Sequence, residues 1–290
     1  MLRALGAEVQ MGDLRDRAAV LGACAGVHAV IHAGALSSPW GRAAEFHAVN
    51  VNGTRHVVDG CTAHGVARFV HISSPSVTFD GRDHRDATEQ APYPRRFASV
   101  YSATKKLAED LVHAAARDGL PVVTLRPKAM FGPGDTALLP RLLRAGRNGR
   151  LAQIGDGTNL VDLTYVDNVV HATLLALEVP RAAGQTYTIT NDAHVPLWNV
   201  VHRVLTAARL ETKLRRVAVP VALAAAAVME LRARLDGGEP TMTRYSVLIL
   251  ARTQTYDITA ARRDLGYSPV VSIDDALERT LANMDLADGA

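Results

Sequence analysis

The stretch Arg68-Phe69-Val70-His71-Ile72-Ser73-Ser74 is a short apolar run that ends in two hydroxyls, and a helical pattern follows it from Val100 to Arg117. Leu107, Leu111 and Ala115 share one face of that pattern, and Gly119 closes it. Val122 to Arg126 then reads as another short strand. A strand, a helix and a second apolar strand in succession make a unit whose strands lie parallel, with helices covering the sheet. The same alternation extends outward on both sides. Upstream, Ala29-Val30-Ile31-His32-Ala33 reads as a buried strand, and Ala43 to Ala63 as a helix through Phe46, Val49, Val57 and Val58, ended by Gly65. Before these come a helix from Asp16 to Ala25 ended by Gly26, a short strand from Glu8 to Met11, and a last helical turn from Leu2 to Leu5 with Gly6 behind it. Downstream, Tyr187-Thr188-Ile189-Thr190 reads as one more strand, after Gly- and Pro-rich loops at 132–135 and 155–157. Val195 to Asp288 reads as mainly helical. The fold class is therefore α/β, a parallel sheet joined to a smaller, mostly helical lobe.

The 290 residues suffice for one large domain or two closely joined ones. Apolar residues make up 48% and charged residues 21%, as in ordinary globular enzymes. The formal net charge of +3 is too small to argue for nucleic acid. Basic residues cluster at Arg95-Arg96, from Arg141 to Arg150 and at Arg215-Arg216, but no aromatic residues interleave with them to stack bases. The two cysteines, Cys24 and Cys61, point to a reducing compartment rather than a disulfide framework. No His/Cys pair has zinc-ligand spacing, so no metal site is expected. The N-terminus has no signal-peptide pattern. The longest apolar run, Val217 to Met229, is too short to span a bilayer and carries Pro220. It reads as a core or pocket-lining helix. Peripheral membrane contact, with Arg215 and Arg216 at the headgroups, is the alternative.

Tyr101-Ser102-Ala103-Thr104-Lys105 places a phenol and an ammonium at i and i+4, on one face of the helix. A positive charge near a phenol favours the phenolate and lowers its pKa from about 10. Tyr101 could then exchange a proton with a substrate oxygen near neutral pH. With so few lysines and tyrosines, a Tyr-x-x-x-Lys is expected by chance roughly 0.1 times. On its own the pair is equally an ordinary surface contact one turn apart. The strand before it adds weight. Ligands of parallel sheets bind at the carboxyl ends of strands, and Ser73-Ser74 sits at one. A serine there can hold the oxygen that Tyr101 protonates, or it can simply cap a turn.

Three runs carry a resemblance: Ser-Ser-Pro-Ser-Val (73–77), Tyr-Ser-Ala-Thr-Lys (101–105) and Arg-Pro-Lys-Ala-Met-Phe-Gly-Pro-Gly-Asp (126–135). Together with Gly12-Asp13-Leu14-Arg15-Asp16, Asn50-Val51-Asn52-Gly53-Thr54, the 161–168 and 239–244 segments and the tail from Tyr256 to Pro269, they resemble the extended short-chain dehydrogenase/reductases. Within these the chain is most similar to the 3β-hydroxysteroid dehydrogenase-like branch. The resemblance runs through essentially the whole chain. It implies an NAD- or NADP-dependent oxidoreductase with Tyr101 as general acid/base and Lys105 lowering its pKa and holding the nicotinamide ribose. Ser74 orients the substrate oxygen, with Ser73 as the second choice. Asp13 and Leu14 line the adenine, Ala33 and Ala35 line the cofactor cleft, and Pro127 and Met130 pass beside the nicotinamide. Ser37-Ser38-Pro39-Trp40 either faces substrate or, at Trp40, belongs to the core.

The family places a strand, a Gly-x-x-Gly-x-x-Gly turn, a helix and a second strand ahead of the position of Glu8, roughly 45 residues. These 290 residues hold no such turn, and the glycines at 132 and 155 do not sit between a strand and a helix as it requires. The expectation is an N-terminally truncated Rossmann-like parallel sheet. Residues 1–135, with 160–193 returning to them, form the dinucleotide-binding domain; 136–159 and 194–290 form the substrate lobe. Without its neighbours, the segment 1–14 should lie off the sheet, and the strand at Val30 to His32 should become an exposed edge. The expected activity is interconversion of a ketone and a secondary alcohol on a hydrophobic substrate, of β-keto acid or 3-hydroxysteroid type. Two alternatives stand beside it: a nucleotide-sugar epimerase or dehydratase, and a non-catalytic fragment. Ala129, where nucleotide-sugar enzymes usually carry Asn, favours the first reading. A cytoplasmic location is expected, with no nucleic-acid partner, and a homodimer is left open.

Overall fold

The computed structural model describes residues 2–283. In chain order the elements begin with α1 (Arg17–Ala23), β1 (Ala29–His32), α2 (Ala43–Phe46), α3 (Gly53–Ala63), β2 (Arg68–Ile72), β3 (His84–Ala87), α4 (Val100–Arg117) and β4 (Val122–Pro127). They continue with β5 (Met130–Phe131), α5 (Leu138–Arg147), β6 (Ala152–Ile154), β7 (Leu160–Val161), β8 (Thr164–Tyr165), α6 (Val166–Glu178) and β9 (Thr186–Ile189). The last are β10 (Val195–Pro196), α7 (Leu197–Ala207), β11 (Arg215–Val217), α8 (Val219–Asp236), α9 (Arg244–Ala251), β12 (Gln254–Tyr256) and α10 (Ile273–Ala282).

The main sheet has the order β1-β2-β4-β9, with every pair parallel. Side chains alternate between its two faces. On one face Val70, Val123, Leu125, Tyr187 and Ile189 pack against Ala172 and Ala176 of α6. On the other, Phe69 and Val122 pack with Val20, Val57, Cys61 and Val112 from α1, α3 and α4. Each fully buried valine or leucine here contributes about 1.5–3 kcal/mol over its exposed state. A second sheet, β10-β7-β12-β3, and two small pairs, β11-β6 and β5-β8, draw on strands between His84 and Tyr256. Trp198, Val201 and Leu205 of α7, Ala222 and Ala226 of α8 and Val247 of α9 form a further apolar cluster there.

Four local readings change. Glu8 to Met11 is not a strand; it is irregular, largely exposed chain paired with no strand. A strand needs a partner, and β1 ends the sheet without one on its outer side, with Ile31 49% exposed. Residues 2–14 thus lie off the sheet, while Met1 falls outside the described residues. The Ala43-to-Ala63 helix is interrupted by a π-helical stretch at His47–Asn52. Pro220 does not break the Val217-to-Met229 run. It stands in the first turn of α8, where a missing N–H leaves no intrahelical bond unmade. Only one face of α8 is core: Ala222 and Ala226 are buried, but Val221, Val228 and Met229 are exposed. The helical reading toward Asp288 is met by α10 up to Ala282, and residues 284–288 lie outside the described residues.

Candidate active site

β2 delivers Ser73 and Ser74 to the carboxyl edge of the main sheet. Ser74 does cap a turn: its Oγ accepts the Ser76 N–H at 3.2 Å, starting a short 3₁₀ turn at Pro75–Val77. That use of a lone pair leaves its O–H free to point elsewhere. Tyr101 lies in the first turn of α4, which Ser99 caps by accepting the Ser102 N–H. Its hydroxyl faces those of Ser74 and Ser37. Lys105, one turn further on, is 3% exposed, and its Nζ donates to the Ile72 carbonyl at 2.7 Å. The phenol, the serine and the ammonium thus come together where the sequence places them. Ser73 is buried lower on the same strand, its Oγ near the Glu109 carboxylate but outside hydrogen-bond geometry.

The electrostatics differ from expectation in one respect. Burial pushes the Tyr101 phenol above its ordinary pKa, opposed by the Ser74 and Ser37 hydroxyls. Lys105 does not reverse this, and its ammonium is held by the Ile72 carbonyl. Burial pulls Lys105 itself down to about 8, with Glu109 opposing. Beneath the pair lies a closed ionic network. Arg126 donates to both Glu109 oxygens at 2.8 and 2.6 Å and to the Tyr93 hydroxyl at 3.0 Å, and Tyr93 donates to Glu109 at 3.0 Å.

The cofactor-side residues divide into two groups. Ala33 is exposed and Ala35 half-buried just beyond the end of β1. Pro127 is buried at the end of β4, and Met130 is 47% exposed beside it. Leu14 is wedged against Gly34 and Gly53, where a Cβ on either glycine would come within 2.9 Å of it. Asp13 is exposed and clasped by Arg15, which holds its carboxyl at about 2 through hydrogen bonds. NAD or NADP fits the nicotinamide end. The Lys105 ammonium has three donors, and the described residues occupy only one of them. The turn that would supply backbone donors to the pyrophosphate is not among the described residues.

Two site residues, Asn50 and Tyr245, carry no assigned role in the sequence. Asn50 in the π-helical stretch is 1% exposed. Its side chain accepts from the Leu36 N–H and donates to the Leu36 carbonyl and Thr104 Oγ1, so it ties the Ala33–Ser37 loop to α4. Asn50 stands in one of the motifs that carried the resemblance, and π-bulges often mark functional sites. Ser37 faces Tyr101. Tyr245 of α9 brings a second, half-buried phenol near Tyr101, beside Ser76 and Ser102. Ser37 belongs to the 37–40 segment read as facing substrate, whereas no local pattern announces Tyr245. Trp40 is half-buried, donates from Nε1 to the Gly238 carbonyl at 3.1 Å and carries Arg234 over its ring, joining the loop to the end of α8. Ala129 has φ +44°, a left-handed conformation that a Cβ disfavours. Ala129→Gly should therefore raise stability by about 1 kcal/mol. Denaturant unfolding measures this, and a loss of stability would contradict the strain.

Among the described residues no group of three His, Cys, Asp or Glu could hold a metal ion. Compared with known proteins, residues 2–219 match the model of the 3-beta hydroxysteroid dehydrogenase/isomerase family. The chain is 40% identical over 293 residues to the 2-alkyl-3-oxoalkanoate reductase of Stenotrophomonas maltophilia (strain K279a), covering 97% of this chain and 88% of that protein. It is 34% identical over 289 residues to the decarboxylating sterol-4-alpha-carboxylate 3-dehydrogenase of Homo sapiens, covering 93% and 76%. Among solved structures it is similar to gox2253, with TM-score 0.78 at 25% identity over 97% of this chain and 86% of that one. It is also similar to DesIV, a dTDP-glucose 4,6-dehydratase from Streptomyces venezuelae with NAD bound, with TM-score 0.72 at 25% identity over 93% and 77%.

Proposed function

The chain belongs to the 3-beta hydroxysteroid dehydrogenase/isomerase family, and on that premise we propose that it interconverts a ketone and a secondary alcohol on a hydrophobic substrate bearing a carboxylate near the reacting carbon. The observation that carries this is the Tyr101 hydroxyl facing Ser74, with buried Lys105 one turn behind, at the carboxyl edge of a parallel sheet. NAD(P), the cofactor of the family, supplies or removes the hydride at the substrate carbon. Tyr101 exchanges a proton with the substrate oxygen, and Ser74 fixes that oxygen by donating its free O–H. Lys105 presents its two remaining donors to the nicotinamide ribose and, as a buried ammonium with a lowered pKa, restores the proton to Tyr101. Ala33, Ala35, Pro127 and Met130 wall the nicotinamide, and Asp13 and Leu14 the adenine. Ser73 stays a supporting residue, since it lies toward Glu109. Residues 1–135 with 160–193 hold the dinucleotide in this reading, and 136–159 with 194–290 hold the substrate.

The substrate class rests on two supports. The similar relatives are named for a 3-oxoalkanoate and a sterol carboxylate. Ala129 also offers no amide where nucleotide-sugar enzymes use one. A medium-chain 2-alkyl-3-oxo acid or a 3-oxosteroid should therefore be turned over at least about tenfold better than any UDP-sugar, since burying the many polar groups of a nucleotide sugar without partners costs several kcal/mol. Reduced-cofactor consumption with each substrate is the assay, and turnover of UDP-sugars alone would remove the proposal. Cys24 and Cys61 are both buried free thiols, which supports a reducing, cytoplasmic setting. No helix among the described residues is long and apolar enough to cross a membrane.

A further inference from the structure

The face of the main sheet beneath α4 is polar along one register row. His32 of β1 pairs with His71 of β2, His71 with Thr124 of β4, and Thr124 with Thr186 of β9. Paired residues on parallel strands point to the same side, with their backbones about 4.8 Å apart. The opposite face at the neighbouring positions is apolar, with Val70, Val123, Leu125 and Tyr187. The row is therefore polar on only one face, the one that carries Lys105.

Its two ends are anchored differently. His32 Nε2 meets Thr54 Oγ1 at 3.0 Å, and that hydroxyl donates to the Asn50 carbonyl at 2.7 Å. Thr186 Oγ1 meets His113 Nε2 at 3.2 Å, and both residues line a surface recess of about 310 Å³ at the far end of α4 from Tyr101. Between these ends, His71 is fully buried and the described residues satisfy neither of its ring nitrogens; Thr124 Oγ1 is buried and unpartnered as well. Such groups are where proteins hold ordered water. His71 directly precedes Ile72, whose carbonyl receives the Lys105 ammonium, and it lies within electrostatic reach of both Lys105 and His113.

We propose that His113, Thr186, Thr124 and His71, bridged by water, form a proton path between the outer surface and Lys105. The path rests on the proposed function, because that chemistry needs one proton per turnover at a buried amine. In the reducing direction Tyr101 gives its hydroxyl proton to the substrate oxygen as hydride reaches the carbon. Lys105 then returns a proton to the phenolate, and His71 passes one to the amine. His71 accepts on one nitrogen as it releases from the other, so no net charge stays buried. The proton enters from solvent at His113.

The first test needs no cofactor. In the 290-residue chain labelled with ¹⁵N-histidine, hydrogen–deuterium exchange of the His71 ring N–H should run faster than that of the β2 backbone amides. Thr124→Val, nearly isosteric, should slow it at least about tenfold, and His113→Leu should do the same. A purely structural threonine gives another result: removing an unpartnered buried hydroxyl leaves exchange unchanged and the fold no less stable. Ring exchange no faster than the β2 amides, or exchange unaffected by Thr124→Val, would overturn the path. The second test uses the cofactor-loaded enzyme. Thr124→Val and His71→Phe should each lower kcat about tenfold at unchanged KM and raise the solvent isotope effect, and the double variant should be no worse than either. Unchanged kcat in both variants also overturns the path. Absence of turnover of any ketone by the unaltered enzyme would instead remove the proposed function and leave the exchange result standing.

Discussion

Tyr101→Phe lowers kcat by about 10²-fold or more, with KM little changed. The substitution deletes one oxygen and leaves the ring to pack in the first turn of α4. Substrate and cofactor contacts made by other residues persist, so the loss falls on the chemical step. Among the described residues the phenol is the acid that meets the Ser74 hydroxyl at the sheet edge. Ser74 faces it from the end of β2, and Lys105 stands behind it with its ammonium on the Ile72 carbonyl. Steady-state kinetics over a pH series measures the effect. Turnover within a few-fold of the unaltered enzyme would mean that another group, with Tyr245 the nearest alternative, supplies the proton.

Glu109→Ala destabilises the fold by about 3–5 kcal/mol. Glu109 is 0% exposed and Arg126 3% exposed, and the two are joined by a bidentate pair that also engages the Tyr93 hydroxyl. Burial pushes the Tyr93 phenol up to about 12, with Glu109 adding to the shift, so the hydroxyl serves the network as a neutral donor and acceptor. Removing the carboxylate strands a guanidinium in the core, where only the Glu89 carbonyl and Tyr93 remain to it. Replacing both partners by apolar residues, as in Glu109→Leu with Arg126→Met, should recover most of the loss, because the penalty lies in the unpaired charge. Urea unfolding of the three variants checks this. A loss under about 1 kcal/mol in the single variant would show that water reaches the pair.

The βαβ frame was legible because its strands are short apolar runs and its helix is bounded by signals on both sides. The range Val100 to Arg117 appears in the structure as read, with Ser99 as cap and Gly119 at φ +103°. Glu8 to Met11 failed for a physical reason: alternating apolar character makes a strand only when a partner lies alongside. The second sheet was not legible. Its strands are two to four residues long, too short for a period of two to register, and β7 pairs with β10 and β12 from distant parts of the chain. At the site, Ser74, Tyr101 and Lys105 could be read because one helical turn and one strand end place them. Ser37 lies in the 37–40 segment read as facing substrate, but its approach to the phenol, and that of Tyr245 from α9, is tertiary. The π-helical stretch at Asn50 likewise leaves no mark in a pattern of apolar residues.

The central claim is net transfer of hydride to a ketone, and isotope tracing tests it most directly. Nicotinamide cofactor deuterated at the transferring carbon is supplied with a 2-alkyl-3-oxo acid to the cofactor-loaded enzyme. The account predicts one equivalent of oxidised cofactor per product and deuterium on the new carbinol carbon, both lost in Tyr101→Phe. Product formed without net cofactor oxidation, or without deuterium at that carbon, would contradict the account and point to internal epimerase-type chemistry on the same fold.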